Sequence, residues 1–235
     1  MGSDSNDDGR IDSSVSRNLL IMKLLISILL LASVASVELS GQTDWEFRKE
    51  EEGIKAYTRT REGIKINEYL VTMTLETTLN EMLSLFKDFD SHPDIFPKTS
   101  DHKVFLDEPR RYITYVRLNI PFPARDRDIV FDNVLNYNSK EKKLLIDIQC
   151  IPEQYETNSS LIRITVCDGG WEFKDIGNGQ IQIRHHMIVD PAGFAPAFIV
   201  NAKTIEDPIA TLKSIKALIS THPYAEKDFE LFRGE

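Results

Sequence analysis

From Trp45 to Asp190, apolar and polar residues alternate with a period of two, the spacing of strands that bury one face. The alternation predicts strands at 45–50, 54–60, 65–75, 102–107, 111–120, 127–137, 143–151, 161–167, 171–175 and 180–189. Glu-Gly, Asp-Glu-Pro, Asn-Ser-Lys, Thr-Asn-Ser-Ser, Gly169-Gly170 and Gly177-Asn178-Gly179 turns separate them. Helical spacing replaces alternation twice. Residues 78–89 repeat Leu79, Met82, Leu83, Phe86 and Phe89 on one face. Residues 195–220 repeat Phe198, Ala202, Ile205, Ile209, Leu212, Ile215 and Ile219, and Asp207-Pro208 reads as an N-cap and first residue restarting the helix after a kink. A long antiparallel meander closed by a late amphipathic helix is an α+β arrangement, a curved antiparallel sheet wrapped around a long C-terminal helix. No internal repeat or linker interrupts 43–235, so that stretch is expected to be one domain.

The chain has 235 residues, 41% of them hydrophobic and 28% charged, with a net charge of −9. An acidic balance gives no electrostatic footprint for nucleic acid and argues against a polybasic hold on an anionic membrane. The segment ahead of the strands is of another kind. Residues 24–37 read LLISILLLASVASV after Lys23, the basic residue, apolar run and small residues of a secretory signal peptide. The run is short for a bilayer span, which needs about 20 residues. Cleavage is expected near Ala35 and Ser36, with Gly41 as another option, and the mature chain is expected to be exported to a periplasm or secreted. The signal peptide is thus assigned to 22–41, with Met22 as an ordinary initiator and 1–21 as a polar leader outside the translated chain. In that leader Asp4, Asn6, Asp8 and Gly9 have the spacing of a calcium loop. Val15 stands where the bidentate acid is required and no helices flank the loop, so a solvated tail is the reading.

Alternation also assigns faces. Tyr112, Val116, Leu118 and Ile120 share a side with Thr114; Ile129, Phe131, Leu135 and Tyr137 share one with Asn133. Ile181, Ile183, Met187 and Val189 share one with His185. Each apolar row therefore carries one polar residue that can be neutral, and a buried polar group left unpaired costs about 1–3 kcal/mol. Either these residues satisfy one another, the backbone and water, or they line a cavity and address the polar end of a ligand. His185 and His186 point to opposite faces of one strand and cannot share a tetrahedral ion, so no metal is expected; no cofactor is expected either. A hairpin about Asn158 and Ser159 would bring Cys150 opposite Cys167. Cys150, however, shares the face of Ile146 and Ile148, whereas Cys167 opposes the face of Ile162, Ile164 and Val166. A register that keeps both apolar rows inside separates the thiols and predicts no disulfide.

One stretch, PFPARDRDIV at 121–130, sets alternating charges between a Pro-Phe-Pro corner and an apolar strand. It resembles the P-x-P-x-x-R-D-[FI]-V signature of START domains, the lipid-transfer family named after the steroidogenic acute regulatory protein. The ending DPAGFAPAFIVNAKTIEDPIATLKSIKALI resembles that family's Pro-x-[WF]-[LI]-V-N helix and later x-Pro-x-x-Thr-Leu segment, and Trp171 after Gly-Gly suits the pattern. The likeness covers roughly residues 44–222. It implies a helix-grip fold enclosing a tunnel for one hydrophobic molecule. In such a fold Arg127 and Asp128 would tie the Pro corner to neighbouring strands by charge-assisted hydrogen bonds, or Arg127 would meet a ligand carboxylate or phosphate at the cavity. Sterol-carrying members place an arginine six residues beyond the R-D arginine, paired with an acid on the preceding strand. Here those positions are Asn133 and the neighbourhood of Thr114, so the charged pair is missing and the tunnel suits a lipid tail or another apolar molecule.

The expectation is a START-like lipid-binding domain over 43–235 that carries or senses a lipid or other hydrophobic small molecule. It is expected to be a monomer without enzymatic activity that touches membranes transiently. Ligand contacts are expected from Tyr112, Thr114, Arg127, Phe131, Asn133, His185, Met187 and Phe198. The closing stretch 196–220 would lift to admit the ligand, flexing at Gly193 and Asp207-Pro208. A polyketide-cyclase-like enzyme shares the architecture and would use His185 as general acid or base, with Tyr112 or Tyr137. In a third reading side chains fill the tunnel and the fold serves protein contacts.

Overall fold

A computed structural model describes residues 45–156, 158–193, 196–221, 224 and 226–233. The leader, the signal peptide and the calcium-like loop lie outside these described residues. The alternating segments form β1 (Glu46–Glu51), β2 (Ile54–Arg61), β3 (Ile64–Glu76), β4 (Thr99–Glu108), β5 (Arg111–Leu118), β6 (Arg127–Asn138) and β7 (Lys143–Cys150). After them come β8 (Ile162–Arg163), β9 (Val166–Gly177) and β10 (Gln180–Asp190). They make one sheet in the order β1-β2-β3-β10-β9-β7-β6-β5-β4, antiparallel throughout, with the short β8 pairing parallel to β6 where β7 has ended. The last strand thus returns to lie beside β3 and closes the meander into a curve.

Two helices between β3 and β4 fill one end of the concave side. α1 (Leu79–Phe86) begins with a capping box: Glu81 N donates to Thr78 Oγ1 at 3.1 Å, and Thr78 N donates to Glu81 Oε2 at 3.0 Å. It buries Met82, Leu83, Leu85 and Phe86. A short turn leads to α2 (His92–Ile95). The chain closes with α3 (Ala197–Lys203) and α4 (Glu206–Thr221). α4 packs on β2, β3 and α2 and buries Ile209, Leu212, Ile215 and Ile219. The architecture is the expected α+β one, a curved antiparallel sheet with a long C-terminal helix on its inner side.

Several local expectations need correcting. The strand expected at 161–167 is not continuous: it ends at Arg163, and Val166 opens a strand that runs through Gly169-Gly170 instead of turning there. Parity is lost between the two pieces. Cys167 therefore takes the phase of Trp171 and Phe173, which face inward, and the pairing of Gln149 with Asp168 sets it opposite Cys150. Cys150 and Cys167 form a disulfide, with their Cα atoms 5.3 Å apart. The helix expected at 78–89 stops at Phe86. The one expected at 195–220 breaks at Thr204 and Ile205, and α4 starts at Glu206, ahead of the expected cap at Asp207. The break turns the first part of the apolar face away from the core, leaving Phe198 75% exposed.

Candidate ligand-binding site

Cross-strand rows of side chains line the concave side. Register places Leu135, Ile146, Trp171, His185, Val71 and Ala56 in one line across the sheet. The next row toward the β5–β6 loop holds Tyr112, Asn133, Ile148, Gly169, Met187, Tyr69 and Thr58. Beyond it come Thr114, Phe131, the disulfide and Val189. Tyr112, Thr114, Phe131, Asn133, His185 and Met187, all singled out from the sequence, thus sit on three adjoining rows.

The rows differ in how closely they are covered. The first lies under α1, where Phe86 meets Trp171 and Phe173 edge-on at 5.0 and 5.3 Å. In the second, Phe89 leans on Tyr112 at 5.4 Å. In the third, Phe131, Cys150 and Val189 face inward yet are only half-buried. The second row also has a gap in it. A Cβ on Gly169 would lie 2.2 Å from the His186 carbonyl oxygen and 2.6 Å from Met187 Cα. β9 and β10 therefore approach so closely that only glycine fits, and no side chain stands between Ile148 and Met187.

The polar members of the wall are held by specific partners. His185 stacks on Trp171 at 3.7 Å; its Nδ1 lies 2.9 Å from the Gly170 carbonyl and its Nε2 lies 2.8 Å from Tyr69 Oη. Burial pushes its pKa down to about 3, so the ring is neutral at physiological pH. No carboxylate reaches it among the described residues. Asn133 is buried and donates from Nδ2 to the carbonyls of Tyr112 at 3.2 Å and Phe131 at 3.4 Å. Its Oδ1, and the hydroxyl of the buried Thr114, have no protein partner among the described residues. Among those residues no group of three or more His, Cys, Asp or Glu could hold a metal ion.

No family model matches the chain. An uncharacterized protein of Pseudomonas aeruginosa is 21% identical over 174 residues, covering 74% of this chain and 86% of that one. The crystal structure of a STAR-related lipid transfer protein from Xanthomonas axonopodis superposes with a TM-score of 0.71 at 20% identity, over 76% of this chain and 100% of that one. Human StAR-related lipid transfer protein 5 gives a TM-score of 0.65 at 11% identity, over 87% of this chain and 97% of that one. The chain has the START helix-grip fold.

Within this START fold, each charge of the RDRD stretch has a partner. Arg125 donates to the carbonyls of Ser159 and Leu161 at 2.6 and 3.1 Å. Asp126 accepts from Arg117 at 2.7 Å and from the Ile120 amide at 3.0 Å. The buried Arg127 donates to the Pro191 carbonyl at 3.3 Å and to that of Arg125. Asp128 binds Arg163 through both oxygens, at 3.0 and 2.8 Å. Arg127 thus links the β5–β6 loop to the β10–α3 connection at the less covered end of the rows. Phe198 sits outside the rows, on the solvent side of α3.

Two polar features lie elsewhere. On the outer face Glu68 is fully buried and accepts from Arg59 at 2.6 Å, Arg61 at 2.8 Å and, through Oε1, faces His186 Nδ1 at 3.2 Å. Burial opposes its ionisation, but the arginines outweigh that and hold its pKa below the ordinary carboxylate value. A shallow cleft of about 420 Å³ beside it is lined by Asp132, Asp147, Gln149, Asp168 and His186. Tyr69, which fixes His185, escaped the sequence reading. The signal was an aromatic hydroxyl on the odd positions of β3, and its use required knowing that β10 pairs with β3.

Proposed function

We propose that the protein binds one lipid or other hydrophobic small molecule between the curved sheet and its closing helices. It acts as a carrier or sensor of that molecule, not as an enzyme, in an exported compartment. The observation that carries this reading is the inner wall at its less covered end: half-buried Phe131, Cys150 and Val189 beside the unpartnered Asn133 Oδ1 and Thr114 hydroxyl. An apolar wall with a few polar points is the make-up of a pocket that orients an apolar guest. The fold shared with lipid-transfer proteins supports the same reading.

Export is supported by the disulfide, since such bonds persist in oxidising compartments. Transient membrane contact is supported by Phe122, 95% exposed on the β5–β6 loop, and by Phe198 and Ile199 exposed on α3 beyond the connection that Arg127 ties to that loop. A cyclase-like role would need His185 free to take a proton, and its acceptor nitrogen is already occupied by Tyr69. Titration of the exported chain with fluorescent lipids tests the reading. Saturable uptake of one probe per chain is expected, and no uptake of any probe contradicts it.

A further inference from the structure

β1 pairs with β2 through Phe47 opposite Tyr57 and Lys49 opposite Ala56, so Arg48 is an extra, bulged residue. A bulge re-aims a side chain. Arg48, its side chain still 44% exposed at the sheet edge, donates from Nε to Thr58 Oγ1 at 2.6 Å, and Thr58 is a buried member of the row that holds Tyr69 and Met187. The guanidinium borders a cleft of about 320 Å³ lined also by Thr58, Asn67, Asn201, Ala202 and Ile205. Asn201 fixes α3 against this cleft: its Oδ1 accepts from the Asn67 amide at 2.8 Å and its Nδ2 donates to the Lys65 carbonyl at 3.0 Å.

We propose that this cleft takes an anionic headgroup, a carboxylate or phosphate, of the molecule whose apolar part lies along the inner rows. The proposal rests on the ligand-binding reading above. A guanidinium fork fits either anion bidentately. The Thr58 hydroxyl accepts from Arg48 and so keeps its own proton to donate to the anion. Ala202 and Ile205 supply an apolar wall where a headgroup would join its tail. Glu46 holds the other side of Arg48 at 2.6 Å, but with side-chain exposures of 44% and 69% this is a solvent-screened pair that an incoming anion can replace.

Calorimetric titration of the exported chain with oleate, oleoyl lysophosphatidate and oleyl alcohol tests this, because the three share one tail. Both acids are expected to bind about tenfold or more tighter than the alcohol, and the tighter acid identifies the headgroup. Arg48→Gln should bring the acids down to the alcohol's affinity and leave the alcohol unchanged. Glu46→Gln should tighten the acids alone. Both changes lie on a solvent-exposed edge strand. Equal binding of acids and alcohol, or an acid preference that survives Arg48→Gln, overturns the headgroup assignment and leaves the apolar-ligand reading standing. No binding of any of the three overturns both.

Discussion

Tyr69 Oη lies 2.8 Å from His185 Nε2, and the other ring nitrogen faces the Gly170 carbonyl at 2.9 Å. A carbonyl only accepts, so Nδ1 carries the proton and the bare Nε2 accepts from the tyrosine. The sheet therefore holds this imidazole neutral, in one tautomer, stacked on Trp171. It is a fixed part of the wall.

That arrangement has a pH signature. Burial lowers His185 to about 3 and His92 to about 4, from 6.5 in the free side chain. Between these values the unfolded chain binds more protons than the folded one, so stability rises with pH. The contribution is full above about pH 6.5 and is lost as the pH falls, down to about 4 for His92 and about 3 for His185, at up to about 1.4 kcal/mol per pH unit for each ring. Denaturant unfolding at pH 7.5 and 5 should show the decline, and NMR should find both rings uncharged at pH 5.5. A midpoint near 6.5 for either ring contradicts the assignment.

Asp128 and Arg163 form a buried pair, with side-chain exposures of 1% and 8%. Arg163 also donates to the Pro152 and Glu156 carbonyls at 2.8 and 2.9 Å and so holds the connection after β7. Asp128→Asn should destabilise the chain by about 3–5 kcal/mol, because it leaves the guanidinium without its counter-charge. Replacing both residues by apolar ones of similar volume should cost less than the two single changes summed. Denaturant midpoints check this.

The disulfide spans a sequence separation of 17, short enough that its removal should cost about 3 kcal/mol. The chain unfolded without reductant should take up no thiol-alkylating reagent, and two labels after reduction. The Cys150→Ser, Cys167→Ser variant should unfold at lower denaturant. Labelling without reductant contradicts the bond.

How much of this was legible beforehand follows from where period two runs unbroken. On β5, β6 and β10 it does, and the inward placement of Thr114, Asn133 and His185 could be read directly. Where parity resets it could not. The gap between Arg163 and Val166 reversed the face of Cys167, and the bulge between Phe47 and Lys49 hid Arg48. The break at Thr204 and Ile205 did the same to Phe198, which helical spacing had placed on a continuous buried face. The buried Glu68 needs two arginines from β2 and a histidine from β10 around it, an assembly that appears only once those strands are known to flank β3. Local chemistry was readable; long-range neighbours were not.

Native mass spectrometry of the chain recovered from its own host tests most directly whether the inner rows hold a guest. The account predicts a population heavier than the bare chain by one apolar molecule, released intact on solvent extraction. A single species at the mass of the disulfide-bonded chain, which also gains no mass when incubated with lipid vesicles, would contradict it.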